Sequence, residues 1–131
     1  MIGADRLRGE SGSAVVDFVM TSALLMFVFL AVLQLGLALH VRNTLISCAA
    51  EGARYGARDG ATPEQGAGRA RELISGSLSS RFAGGVSASV QTTAADVRVL
   101  VVDVTAPIPL VGPIGPSESL EVSGRAFMED Q

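Results

Sequence analysis

The sequence predicts an α+β protein: a long N-terminal transmembrane helix that continues into a small domain with a second helix and a three-stranded antiparallel sheet. Three observations carry this reading. From Phe18 to Leu39 no residue bears a formal charge, and only Thr21, Ser22 and Gln34 are polar. About 20 apolar residues suffice for a helix to cross hydrocarbon, and a helix satisfies its own backbone where lipid cannot. Helical spacing then persists past the apolar run. From Val86 onward the period changes to two, in three separate segments. The order ααβββ gives an antiparallel sheet with its helices on one face.

The bulk numbers fit one domain. Of 131 residues, a share is committed to the membrane, so the remaining core is small and marginal on its own. Apolar residues make up 48% of the chain and mean hydropathy is +0.41, but the apolar residues are concentrated in the first third. Net charge is −3, with arginine and no lysine as the basic residue. That balance lacks the clustered basic footprint of a nucleic-acid binder. One cysteine, Cys48, rules out an intrachain disulfide and reads as a small buried apolar residue.

In chain order, residues 1–12 form a short leader, cytoplasmic in this reading. Gly3, Gly9, Gly12 and Ser11 argue against fixed structure there. Arg6 and Arg8 bias this side toward the cytoplasm, weakly, because Arg42, Arg54 and Arg58 follow the span. The apolar run exceeds the 7–15 residues or so of a secretory signal core and passes without a break into a polar helix, so it reads as retained. The long helix is expected over 13–59, with its span at about 18–41; at 1.5 Å per residue it is roughly 70 Å long.

Beyond the span, Leu45, Ala49, Gly52 or Ala53, and Gly56 recur at three- and four-residue spacing. This face of small residues permits close approach of another backbone. Gly60 is a candidate C-cap. The domain over 60–131 opens on Thr62-Pro-Glu-Gln65, where Thr62 caps, Pro63 suits the first helical position and Gln65 completes a capping box. That helix is expected to reach Arg81, with Ala67, Ala70, Leu73, Ile74 and Leu78 or Phe82 inward. Gly84-Gly85 interrupts it. Val86, Ala88 and Val90 alternate with polar residues as a half-buried strand, Asp96–Thr105 is the strongest strand segment, and Ser119–Met128 is the third. The proline-rich stretch Ala106–Pro116 reads as a loop, because proline lacks a donor and fixes φ.

Candidate chemistry is sparse. His40 and Cys48 stand two helical turns apart, which forms no metal cluster, and no cofactor is implied. Gly66-Ala-Gly68 follows no strand and precedes no lysine, so it is no phosphate loop. Asp96 and Asp103, seven apart on one strand, face opposite sides and form no carboxylate pair. Glu51, Arg54 and Arg58 read as a solvated salt-bridge face, with lipid head groups or a neighbouring subunit as the other reading. Asp17 stands out. A carboxylate in a span costs about 2.5–3.5 kcal/mol at mid-bilayer and less near the edge. It either marks the start of the span among head groups or meets a cation on another subunit, such as a free α-amine.

Position bears on this choice. A cut between Gly12 and Ser13 leaves Asp17 as the fifth residue and Phe18 as the sixth. This resembles the prepilin-peptidase recognition pattern of type IV and Flp-type pilins. The block Ala49-Ala-Glu-Gly-Ala-Arg-Tyr-Gly-Ala57 is similar to the small-residue motif of TadE-like minor pseudopilins. The resemblance covers the leader and long helix and, more loosely, the strand-rich remainder. It implies a non-enzymatic structural subunit of the Tad system, which builds Flp pili. Gly12 and Ser13 would form the peptidase cleavage site and Asp17 the assembly carboxylate, where the family usually has glutamate; Ala49, Gly52, Ala53 and Gly56 would pack the helix. The implied partners are prepilin peptidase, other pilin or pseudopilin subunits, Tad membrane platform proteins and the lipid bilayer. The implied location is the bacterial cell membrane, single-pass, with the C-terminal domain extracytoplasmic. The alternative is an uncleaved single-span anchor carrying an extracytoplasmic binding domain.

Overall fold

A computed structural model describes residues 4–109 and 119–129, with side chains from Glu10 onward. The elements are helix α1 (Ala4–Gly56), helix α2 (Pro63–Ser77), a 3-10 turn (Ser80–Phe82) and strands β1 (Val86–Thr92), β2 (Arg98–Pro107) and β3 (Ser119–Phe127). The α+β class expected from the sequence is the one found. By its contacts the chain divides into two units, Met1–Gly36 and Leu37–Gln131, and α1 contributes to both.

In the first unit every described residue from Glu10 to Leu33 is exposed. Among the described residues this is the one helix long and apolar enough to cross a membrane. Exposing a large apolar side chain to water forfeits about 1.5–3 kcal/mol. A run from Val15 to Leu33 with no cover inside the chain therefore requires an apolar surrounding. Helix already begins at Ala4, whereas the leader glycines argue for no fixed structure. Extending an existing helix adds one bond per residue fixed, so two glycines near its end, at about 1 kcal/mol each, do not stop it.

The second unit holds the core. The strand order is β1-β2-β3, antiparallel throughout, with Val86 opposite Val104 and Leu100 opposite Val90 in one pair and Val104 opposite Val122 in the other. Leu100, Val102, Val104 and Ala106 join Leu45, Ala49 and Ala53 of α1 and Ala67, Ala70 and Ile74 of α2 in one cluster. Both helices thus cover one face of the sheet. Central β2 is also buried on its other face at Val99 and Val101, which is why it reads as a nearly continuous apolar run.

Differences from the expected boundaries have local causes. α1 ends at Gly56, not at 59; Gly60 takes φ 76° in the following turn, so its left-handed backbone serves the connection to α2. The Thr62 capping box forms, with Gln65 N donating to Thr62 Oγ1 at 3.2 Å and Thr62 N donating to Gln65 Oε1 at 3.0 Å. α2 stops at Ser77 rather than Arg81, and Ser80–Phe82 is a separate 3-10 turn. Asp96 has φ 59° and sits in the β1–β2 turn, where Asp96 N donates to Thr93 O; it is not on a strand with Asp103. Ala106 and Pro107 extend β2. Pro107 is tolerated because β1 ends its pairing at Val86–Val104, so that end of β2 pairs only with β3. Most of the proline-rich stretch read as a loop lies outside the described residues.

Candidate functional site

The residues singled out by the sequence fall into two groups, one in each unit. Gly12, Ser13 and Asp17 lie within α1. Ser13 and Asp17, four apart, share a helix side. Asp17 is exposed beside exposed Val16 and Phe18 and forms no ion pair among the described residues. A Cβ built on Gly12 meets nothing within 4 Å. No packing among the described residues therefore asks for glycine there, although glycine costs the helix about 1 kcal/mol relative to alanine.

The small-residue face lies in the second unit, where it is occupied by the chain's own backbone. Ala49 and Ala53 are fully buried. A Cβ on Gly52 would come within 2.7 Å of both Ala70 Cβ and Gly66 O. On Gly56 it would lie 2.7 Å from Leu100 Cδ2 and 2.9 Å from Gly66 Cα. Helical spacing places these residues on one face but does not say whose backbone they meet. Gly124 of β3 completes the packing, since a Cβ there would overlap the Ala49–Ala50 backbone. The available sequence signal was a glycine inside a strand, which often marks close backbone approach.

Other side chains settle simply. His40 is exposed. Cys48 is buried; burial pushes its thiol pKa up, partly offset by a hydrogen bond with Ser77. Arg54 and Glu51 pair at 3.4 Å with both side chains solvated. Arg58 falls past the helix end and stacks over Tyr55 at 5.4 Å. Arg71 Nη2 donates to Val86 O at 2.8 Å.

The helix-free face of the sheet carries a charge pattern that the third-strand periodicity contains. Glu121, Ser123, Arg125 and Phe127 alternate along β3 and are exposed. Asp103 and Glu121 line one shallow depression with Thr105 and Ser123. Arg125 and Phe127 line a second, open groove of about 520 Å³ with Arg54, Arg58 and Glu129.

With this geometry in place, the comparison with known families bears on the long helix alone. Residues 12–54 match the TadE-like protein family. The TadE-like segment begins at Gly12 and ends near the close of α1, leaving α2 and the sheet outside it. The one membrane-length helix among the described residues fits a single-pass membrane protein. Neither a curated protein nor a solved structure matches the chain.

Proposed function

We propose that the chain is a minor pseudopilin-like structural subunit of a Tad/Flp pilus assembly or secretion system. In this reading residues 1–12 are a cytoplasmic leader, the long helix of the processed chain runs from Ser13 to Gly56, and 60–131 form the extracytoplasmic domain. A prepilin peptidase cuts between Gly12 and Ser13. Asp17 then neutralises the new amino end of a neighbouring subunit, and pilin or pseudopilin subunits and the Tad platform are the partners. The chain is a substrate of the peptidase and performs no catalysis of its own. The observation that carries the proposal is the acid five residues after Gly12, at the start of an exposed apolar helix, in a segment whose TadE-like match begins at that glycine.

N-terminal sequencing of the membrane-resident protein, from a host with active prepilin peptidase, tests it. The expected first residue is Ser13, and Gly12→Val should retain the leader. A wild-type chain that still begins at Met1 would sink the proposal. For Asp17→Ala, co-purification of partner subunits should fall several-fold at unchanged expression. One observation favours the alternative, an uncleaved single-span anchor: α1 runs unbroken through Gly12 and Ser13, so a peptidase must meet this stretch unwound.

A further inference from the structure

Two depressions on the second unit adjoin to form one cleft. The open groove of about 520 Å³ is lined by Arg54, Arg58 and Arg125 against one acid, Glu129. A neighbouring depression of about 290 Å³ shares Arg125, Ala126 and Phe127 with it, is floored by Val99 and Val101 and is edged by Gln91 and Thr92. One end of the cleft is thus basic, and the other is apolar beyond the shared Arg125. The fold itself accounts for part of the basic end. Arg54 pairs with Glu51 at 3.4 Å and stands in the last turn of α1, where a cation offsets the helix dipole. Arg58 and Arg125 have no such account: both are exposed, and neither forms an ion pair among the described residues. Arg58 stacks over Tyr55 at 5.4 Å, which holds the guanidinium plane and leaves its N–H edge for an acceptor. Glu129 is turned to the main chain, its Oε2 accepting from Asp59 N at 3.4 Å. Phe127, common to both ends, is 75% exposed.

We infer that this cleft docks an acidic segment of a partner protein, with carboxylates on Arg58 and Arg125 and a neighbouring apolar side chain over Phe127 and the Val99–Val101 floor. Charge complementarity names the occupant. Unpaired cations around one groove repel each other until an anion joins them, and a guanidinium fork matches a carboxylate with two parallel hydrogen bonds. The chain as a whole carries −3, so this basic surface stands against an acidic background and steers acidic partners to itself. The apolar end selects among anions. A free phosphate or a charged sugar chain has nothing to set against Phe127. A lipid would need its acyl chain covered, and a few apolar side chains on an open surface do not cover one. A peptide presents both kinds of side chain within a short reach. From β1 to β3 the cleft crosses two interstrand spacings, about 10 Å, which roughly three extended residues cover. The contact is small and its affinity falls with salt. It goes beyond the processing and assembly of the long helix, uses none of Gly12, Ser13 or Asp17, and stands whether or not the leader is cut.

The test uses the full chain in phosphatidylcholine nanodiscs and a rhodamine-labelled Glu-Glu-Phe-Glu-Glu peptide, read by fluorescence anisotropy at low salt. Binding should saturate, and should weaken at least threefold with Arg58→Gln and with Arg125→Gln. Glu129→Gln keeps an acceptor for Asp59 N and should tighten binding at least twofold, a gain that misfolding does not produce. Arg69→Gln removes the same charge on α2, where Arg69 pairs with Glu72, and should leave binding unchanged. Phe127→Ser should weaken this peptide but not its Glu-Glu-Ala-Glu-Glu counterpart. Absence of saturable binding overturns the inference, as do equal losses for Arg69→Gln and Arg125→Gln, which would mean that binding follows overall charge. Unlabelled peptide should displace the probe at lower concentration than a hyaluronan hexasaccharide or glycerol phosphate does. The reverse order would assign the groove to a polysaccharide or a lipid head group and overturn the inference as well.

Discussion

At the scale of single residues, glycine carries more of the structure than any charged group. Gly124 allows β3 to lie on the α1 backbone at Ala49–Ala50, and no side chain can retreat from that contact because both sides are main chain. Overpacking of this kind costs about 1–3 kcal/mol. Gly124→Ala should therefore lower the Tm of the extramembrane domain. Gly76→Ala serves as the control: nothing lies within 4 Å of its Cβ, and α2 should gain about 0.5–1 kcal/mol. A thermal melt of the full chain in detergent, followed by circular dichroism, should show opposite signs for the two. Equal shifts would contradict the backbone contact. The sequence displayed both glycines without ranking them, because a close approach depends on which distant segment arrives.

At the scale of elements, legibility followed how local the deciding interaction is. Thr62, Pro63 and Gln65 interact within one turn, and the cap they form is the one read from the sequence. Thr62→Ala should cost about 1 kcal/mol, read as a lower denaturation midpoint at unchanged slope; a midpoint within error of wild type would mean the cap adds nothing. The end of α1 was less legible. Gly60 has the backbone of a helix-stopping glycine, yet the helix ends at Gly56, and Glu129 N donates to Ala57 O just beyond. That partner lies some seventy residues away, beyond the reach of any local pattern. Asp96 was misplaced for a related reason: its residue type suits a left-handed turn, but the apolar run after it made the strand look longer. On β3, the sequence period placed the strand but not its faces; the structure puts Glu121, Ser123, Arg125 and Phe127 on the exposed side.

At the scale of the whole molecule, the two halves of the chain meet different solvents. The first unit buries none of its large apolar side chains within the chain from Val15 to Leu33, so its stability rests on lipid. The second closes an aliphatic core of its own around Leu45, Ile74 and Leu100. The protein should remain in the membrane pellet after an alkaline carbonate wash. Asp17→Ala should remain there equally or more completely, since removing a carboxylate lowers the cost of insertion. Release of either form into the supernatant would contradict a membrane-spanning α1.

The seating of β3 on α1 has a consequence for synthesis. Residues 49–57 wait for partners at 124–129, which leave the ribosome last among the elements described. Until then α2, β1 and β2 have emerged with one side of their apolar cluster unsealed, and contacts of such long sequence separation form slowly. Nascent chains arrested before Gly124 should therefore present sticky surface to chaperones and proteases, although the helix that anchors them is already complete.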